Sequence, residues 1–198
     1  MNNNEIKIIG KVLEKLKTGT DGENRRIRLE IRPGGHWLFA QIYEPELVDI
    51  VDRLEVGDTI EGTGRVDIFD GRKKKGQPKA MIEVVFDTLK KADDFAPVAG
   101  WKLVGEIAGD RMETFVRHRD GMDLTFSLIV ETRNHSEKLY PVLIANRRDI
   151  VRYVKNTFEA GSRVAIYGTP GKYRTKSGIW LPCMIARQIT YAACMEGD

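Results

Sequence analysis

The sequence is poor in the residues that build disulfide frameworks and metal centres. Only two cysteines occur in 198 residues, Cys183 and Cys194, and neither lies in a cluster of cysteine and histidine. This excludes a disulfide framework and the usual zinc sites, and favours free thiols. The three histidines are scattered, with no spacing typical of ligation or of a catalytic pair. We therefore expect no metal and no cofactor.

Long hydrophobic runs are also missing. No segment approaches the roughly 18 consecutive apolar residues of a membrane span, and the Met-Asn-Asn-Asn start has no apolar signal region. With 41% hydrophobic and 31% charged residues, the composition is typical of a soluble protein with one medium core or two small ones. We expect a cytoplasmic protein without a membrane partner.

Catalytic motifs are absent as well. The sequence has no Gly-x-x-x-x-Gly-Lys-Ser/Thr phosphate loop, no nucleophile elbow and no paired metal-ligand motif. We therefore predict that the chain is not an enzyme. The net charge is only +3, but basic residues are concentrated locally, and local clusters matter more than the sum for binding a polyanion.

What the sequence does contain is an internal repeat. Gly57-Asp-Thr-Ile-Glu-Gly-Thr-Gly64 matches Gly161-Ser-Arg-Val-Ala-Ile-Tyr-Gly168 in glycine spacing and in the apolar residue between the glycines. Each copy follows a helical apolar pattern and precedes a basic hairpin. A repeat of this length is a whole domain. We predict a first domain at 1–91, a linker at 92–100 and a second domain at 101–198.

Both copies have the same predicted order of elements, namely three strands, one helix and two strands. In the first copy they are residues 5–16, Arg26–Arg32, His36–Tyr43, a helix from Pro45, Thr59–Phe69 and Ala80–Leu89. In the second they are Trp101–Ile107 (running on towards Arg117), Met122–Glu131, Lys138–Ile144, the helix Arg148–Phe158, Arg163–Tyr173 and Ile179–Ala192. This order is typical of the OB-fold, a five-stranded Greek-key barrel, although other small barrels share parts of it. The predicted fold class is all-β with minor helix: two tandem OB-fold barrels, each with a helix between strands 3 and 4.

Alternation in the second and third strands predicts a surface that combines cations and aromatic rings. Ile27, Leu29 and Ile31 share one parity, and Leu38, Ala40 and Ile42 share one in the next strand. If these apolar residues face the core, the alternate side chains must point outward together. The outward set is Arg26, Arg28, Arg32, Trp37, Phe39 and Tyr43. Cations that follow phosphates and rings that stack bases are what single-stranded nucleic acid requires, although outward aromatics also serve as dimer contacts or pack against a neighbouring domain.

The hairpins between the last two strands are the second group of candidates. In the first copy Arg72, Lys73, Lys74 and Lys75 form a run of cations between glycines, and Phe69 lies at its base. In the second copy the segment carries Lys172, Tyr173, Arg174, Lys176 and Trp180. Such loops neutralise phosphates and release counterions. A lysine-rich tip that only aids solubility is the alternative.

These residues resemble a known family. Leu124-Thr-Phe-Ser-Leu-Ile-Val130, Tyr140-Pro-Val-Leu-Ile144 and the segment from Gly161 to Gly168 look like bacterial single-stranded DNA-binding proteins and their primosomal relatives. Gly57 to Val66, the basic hairpin and Met81-Ile-Glu-Val-Val85 are similar to the same region of that family. The resemblance implies DNA binding in replication, recombination or repair. Because family members with one barrel often form tetramers, it also implies a homo-oligomer, with a dimer presenting four OB-folds as the simplest case.

The combined interpretation is single-stranded DNA binding with little sequence specificity. Two alternatives stay open from the sequence. The same surface could bind a partner chain in an accessory module of a replication or mobile-element system, or it could bind RNA. Salt dependence separates phosphate contacts from an apolar protein interface, and competition between matched RNA and DNA tests whether the 2′-hydroxyl is read.

Overall fold

The computed structural model describes residues 3–32, 36–74, 77–94, 96–109, 112–116, 121–145, 147–174 and 180–192, and it describes their side chains except at 69–74, 77–80, 115 and 116. These residues form eleven strands and two helices. They divide into two compact units. One unit is Glu5–Gly100, and the other joins the first residues of the chain, through Asn4, to everything from Trp101 onward.

The first unit contains a closed five-stranded barrel. Its elements are β1 (Asn4–Thr18), β2 (Asn24–Arg32), β3 (His36–Ile42), α1 (Pro45–Arg53), β4 (Thr59–Lys74) and β5 (Gln77–Lys91). Strand β1 pairs antiparallel with both β2 and β4, β2 pairs with β3, and β4 pairs with β5. The parallel pair β3–β5 completes the circle. This is the predicted OB-fold, with the helix between the third and fourth strands.

The second unit repeats the same closure. Its elements are β6 (Val98–Ile107), β7 (Glu113–Val116), β8 (Met122–Glu131), β9 (Glu137–Ile144), α2 (Arg148–Thr157), β10 (Arg163–Arg174) and β11 (Trp180–Tyr191). The circle runs β6, β8, β9, β11, β10 and back to β6, and β9–β11 is again the parallel pair. The strand expected to run on towards Arg117 is instead two strands, because β7 pairs separately with β8.

Period-two alternation correctly identified the core of β2 and β3. Ile27, Leu29, Ala40 and Ile42 have no exposed surface, and Ile31 and Leu38 are also buried. From helix α1, Val48 and Val51 add to this core. Because the inward parity is fixed by these apolar side chains, the polar and aromatic residues between them must face outward.

The repeated glycines have two separate structural reasons. Gly57 and Gly161 adopt φ values of +102° and +84° in the turn after each helix, a conformation that side chains disfavour. A Cβ at Gly64 would lie 2.0 Å from the carbonyl oxygen of Val85, and the register of β4 and β5 shifts at this glycine. Gly168 has the same relationship with Ile185, at 2.2 Å. The spacing therefore marks a turn and a close strand approach in both barrels.

The strands of the first hairpin are longer than the sequence suggested. The predicted strands ended at Phe69 and resumed at Ala80, but β4 runs to Lys74 and β5 begins at Gln77. Lys74 is the register partner of Gln77. Strand residues thus extend to Lys74 on one side and start at Gln77 on the other, where a loop was expected, because antiparallel strands satisfy their backbone hydrogen bonds by pairing with each other.

A buried polar network lies in the second unit. Trp101 Nε1 donates a hydrogen bond of 2.9 Å to Asn4 Oδ1, and Asn4 Nδ2 donates one of 2.9 Å to the hydroxyl of Tyr140. The Trp101 and Tyr140 rings meet edge to face at 5.9 Å. Since all three residues are buried, the amide of Asn4 satisfies the polar atoms of two aromatic residues that otherwise fill the core.

Cys183 on β11 is fully buried, and burial raises the pKa of its thiol to about 12, so it is protonated at neutral pH.

Helices α1 and α2 have nine and ten residues. Over the described ranges, neither helix has the length and apolar character needed to cross a membrane.

Candidate nucleic-acid interface

The outward side chains of β2 and β3 form one continuous surface, here called the aromatic face. Strand register places Arg26 opposite Gln41, Arg28 opposite Phe39 and Glu30 opposite Trp37. Directly opposite side chains in an antiparallel pair lie about 4.5–5.5 Å apart at Cβ, which brings them into contact. The aromatic face consists of Arg26, Arg28, Glu30, Trp37, Phe39 and Gln41.

Each ring on this face is covered by an arginine. The guanidinium carbon of Arg26 lies 3.9 Å from the centroid of the Phe39 ring, and that of Arg28 lies 5.6 Å from the Trp37 ring. The two rings meet edge to face, with centroids 5.2 Å apart and planes at 72°. Trp37 nevertheless remains 51% exposed. It is the ring on this face that is most open to a stacking partner.

Carboxylates neutralise both arginines. Arg26 Nε lies 2.8 Å from Glu83 Oε1, an ionic contact without hydrogen-bond geometry, and Arg28 Nη1 lies 3.6 Å from Glu14 Oε2. Gln41 Nε2 donates a 3.0 Å hydrogen bond to Glu83. Burial raises the pKa of Glu83, and the positive charge of Arg26 opposes that shift. The cations of the face are thus held in place by acids from β1 and β5.

Sequence reasoning missed Glu83 and Glu14 as parts of this surface. The parallel pairing of β3 with β5 is what places Glu83 beside Phe39. Glu83 belongs to an ion pair and not to a metal site. Within the part of the chain that the structure describes, no group of three or more His, Cys, Asp or Glu residues is placed to hold a metal ion.

Arg32 and Tyr43 lie at the ends of the two strands and make no described contact with the rings. Arg32 is exposed and pairs in register with His36, beyond an irregularity that separates it from Glu30. Tyr43 is 50% exposed. The pKa of its hydroxyl is raised by burial and then by the negative charges of Glu83 and Asp67. Both residues therefore border the aromatic face.

The candidates of the first hairpin are described only as backbone. Phe69, Arg72, Lys73 and Lys74 belong to β4, close to where it meets β5, and their side chains lie outside the description. Lys75 lies outside the described residues. Arg72, Lys73 and Lys74 are thus the last three residues of β4.

The second hairpin separates its candidates onto two faces. Arg174 is the register partner of Trp180, and Lys172 shares their side because side chains alternate along a strand. The ammonium of Lys172 lies 5.3 Å from the Trp180 ring, which is 55% exposed. Tyr173 points to the opposite side, opposite Leu181, and burial raises the pKa of its hydroxyl. Lys176 lies outside the described residues.

The corresponding face of the second barrel has a different chemistry. Its outward residues on β8 and β9 pair as Thr125 with Leu143, Ser127 with Pro141, Ile129 with Leu139 and Glu131 with Glu137. None of these side chains is a cation or an aromatic ring. The combination of exposed ring and arginine on the second and third strands is therefore present in the first barrel and absent from these positions of the second.

Comparison with known proteins supports the fold. No family model matches this chain, and no curated protein matches it by sequence. The crystal structure of the single-stranded DNA-binding protein from Thermus aquaticus matches with a TM-score of 0.72 and 14% identity, over 98% of this chain and 95% of that one. The N-terminal domain of PriB from Thermoanaerobacter tencongensis matches 48% of this chain at 23% identity, with a TM-score of 0.38. The likeness to the Thermus protein, together with the two closed barrels, shows that this chain has a tandem OB-fold.

Proposed function

We propose that this chain binds single-stranded DNA with little sequence specificity. The observation that carries the proposal is Trp37, a half-exposed ring on the second and third strands of an OB-fold, flanked by Phe39 and two arginines. That pair of strands is the usual oligonucleotide surface of this fold. The proposal also agrees with the resemblance in sequence and with what the Thermus protein is named for binding.

Stacking supplies the part of the affinity that does not depend on sequence. Every base has a flat π-face, so a ring such as Trp37 accepts any of them, at about 1–3 kcal/mol per base. A water-facing sheet gains little from an exposed indole, because apolar surface is better buried. A bound base would bury it.

Phosphate contacts supply the rest and come from the hairpins. The connection between the fourth and fifth strands is the second nucleic-acid element of an OB-fold, and here the hairpin sequence carries Arg72, Lys73, Lys74 and Lys75. In the second barrel, Lys172, Arg174 and Trp180 share one side of the equivalent hairpin. The two barrels therefore contribute unequally, with stacking on the sheet of the first and a cation–aromatic hairpin in the second.

The biological setting follows the resemblance. We place the protein in the cytoplasm, as a non-enzymatic protein that protects or organises single strands during DNA replication, recombination or repair. We further propose a homodimer that presents four OB-folds. A solution mass measurement tests the dimer, and a monomer mass over the working concentration range would exclude it.

Titration of fluorescently labelled oligo-dT with the protein at low salt tests the proposed binding. Anisotropy should rise to saturation with oligo-dT and change far less with a duplex of the same length, because stacking needs unpaired bases. Competition by unlabelled oligo-dT and by oligo-U decides between DNA and RNA. Failure to bind any single strand at low salt would overturn the proposal.

The rival function is a protein-interaction module that uses the same surface. Its supporting observation is the limited net charge of the aromatic face, where Glu83 and Glu14 oppose the arginines. Salt separates the two functions. A polyanion bound through several phosphates gives a steep linear fall of log K against log salt, whereas an apolar protein interface gives a shallow one.

A further inference from the structure

We propose that Glu83 is a positioning residue that keeps Arg26 on the Phe39 ring and withholds its charge from phosphates, so that the aromatic face receives bases while the hairpins receive the backbone. The inference rests on the proposed binding of single strands and specifies which part of the ligand meets which surface.

Carboxylates offset the positive charge of the aromatic face. Arg26 has Glu83 at 2.8 Å, and Arg28 has Glu14 at 3.6 Å. Glu30 adds a further negative charge in register with Trp37. The two arginines of the face are thus opposed by three carboxylates. A phosphate brought to this surface would meet little net positive charge, in contrast to the run of four cations in the first hairpin.

Glu83 is a buried carboxylate. The side chain of Glu83 is only 9% exposed, and it takes a hydrogen bond from Gln41 as well as the contact with Arg26. A carboxylate held this way is costly to leave unpaired. Releasing Arg26 to a phosphate would leave the Glu83 charge with the Gln41 amide alone. Arg26 therefore remains over the Phe39 ring when a ligand binds.

The neighbours of the Phe39 ring hold it in place. Arg26 covers one side of Phe39, and Trp37 meets Phe39 at its edge. A guanidinium that stacks on a ring holds it in one orientation. The flat surfaces presented to the ligand are thus the Trp37 ring and the Phe39–Arg26 pair, and flat bases fit them better than tetrahedral phosphates.

The test is the salt dependence of oligo-dT affinity for Glu83→Gln. Glutamine keeps the shape and a hydrogen bond to Gln41 but removes the charge, so Arg26 becomes available to a phosphate. Each additional phosphate contact on a single strand steepens the slope of log K against log salt by about 0.7, or about 2.6-fold in affinity between 50 and 200 mM salt. We expect this steeper slope and tighter binding at low salt. Adding Arg26→Gln to this variant should return the slope to its original value.

Glu61→Gln is the matched control. Glu61 lies in the same barrel and pairs with Lys7 and Lys90. It is on β4, six residues before Asp67, which is the register partner of Glu83. Six residues of strand separate Glu61 from Asp67 by roughly 20 Å. Glu61→Gln changes the net charge by the same amount as Glu83→Gln, and the slope of log K against log salt should stay within error of that of the original protein.

Glu14→Gln is a second variant in case Glu83→Gln does not fold. Glu14 is 42% exposed, and its removal should steepen the slope in the same way through Arg28. An original slope in folded Glu83→Gln, with binding intact, overturns this inference and leaves the proposed function standing. If Glu83→Gln does not fold, an original slope in Glu14→Gln has the same consequence. Equal steepening in Glu61→Gln also overturns it, since net charge alone would then explain the effect. Loss of all binding by the unaltered protein is the separate failure of the proposed function.

Discussion

The guanidinium of Arg26 lies 3.9 Å above the Phe39 ring, while the neighbouring Trp37 ring is 51% exposed. The two aromatics of the face are therefore unequal, and Trp37 has more free surface for a base. We expect Trp37→Ala to weaken oligo-dT binding by about 1–3 kcal/mol, or roughly 5- to 150-fold, and Phe39→Ala to weaken it less. Anisotropy titrations measure both. Tyr153→Ala is the control, because Tyr153 is also 51% exposed but lies on α2 of the second barrel. Equal losses in all three variants would contradict a specific role for Trp37.

A second prediction concerns the cations of the first hairpin. Replacing Arg72, Lys73 and Lys74 together by Gln should make the slope of log K against log salt shallower by about 2, since each phosphate contact on a single strand contributes about 0.7. Titrations at four or more salt concentrations give the slope. Lys90→Gln is the control, because Lys90 already pairs with Glu61. An unchanged slope in the triple variant would assign the hairpin to solubility.

The sequence predicted the inward and outward sides of β2 and β3 but not the acids that pair with the arginines. Alternation around Ile27 and Ala40 predicted which side chains face inward, because a strand has a strict period of two. Outward placement of Arg26, Arg28, Trp37 and Phe39 followed from it. Alternation along β2 and β3 does not reveal Glu83 and Glu14, which lie on other strands. Glu83 reaches Arg26 through the parallel pairing of β3 with β5, which depends on how the whole barrel closes.

In the second hairpin the sequence grouped side chains that the structure places on opposite sides of the strand. The sequence placed Tyr173 in one cluster with Lys172, Arg174 and Trp180. Because the segment is a paired strand, alternation separates Tyr173 from its two neighbours. The first hairpin likewise has strand pairing up to Lys74 where a loop was expected. Runs of lysine, glycine and arginine lack the apolar alternation by which strands are identified, so the sequence pattern does not predict strand pairing there.

A third prediction concerns stability of the second unit. Asn4→Ala leaves the buried Nε1–H of Trp101 without its partner and removes the donor to Tyr140, at a cost of about 1–3 kcal/mol for an unsatisfied buried group. Urea unfolding should be followed by Trp101 emission in a Trp37→Phe, Trp180→Phe background. Asn3→Ala is the control, because the backbone oxygen of Asn3, and not its side chain, accepts from Val104. A midpoint equal to that of the control would show that water satisfies the Trp101 donor.

A fourth prediction concerns acid sensitivity of the first unit. Arg25 Nε and Nη2 donate to the two carboxylate oxygens of Asp52 at 2.5 and 2.6 Å, and this hydrogen bonding lowers the pKa of Asp52 from its ordinary 3.8. Stabilisation from a lowered pKa is complete above the unfolded value and is lost as pH falls through the folded one. Asp52→Asn should therefore lower the free energy of unfolding at pH 7, and the difference from the original protein should shrink below about pH 4.

Asp149→Asn is the comparison for that experiment. Asp149 is 73% exposed and its contacts with Arg147 are 3.5 Å long, so its removal should have little effect on unfolding at pH 7. A constant difference between Asp52→Asn and the original protein from pH 7 to pH 3 would show that the Arg25–Asp52 pair does not depend on charge.

The most direct test of the account is the fluorescence of Trp37 during titration with oligo-dT. In the Trp180→Phe variant two tryptophans remain, and Trp101 is only 1% exposed, so a change on binding reports Trp37. We expect a saturable quench that follows the anisotropy of the DNA, because a base stacks on the indole. Saturable binding with unchanged tryptophan emission would place the DNA elsewhere and contradict the aromatic face as the binding site.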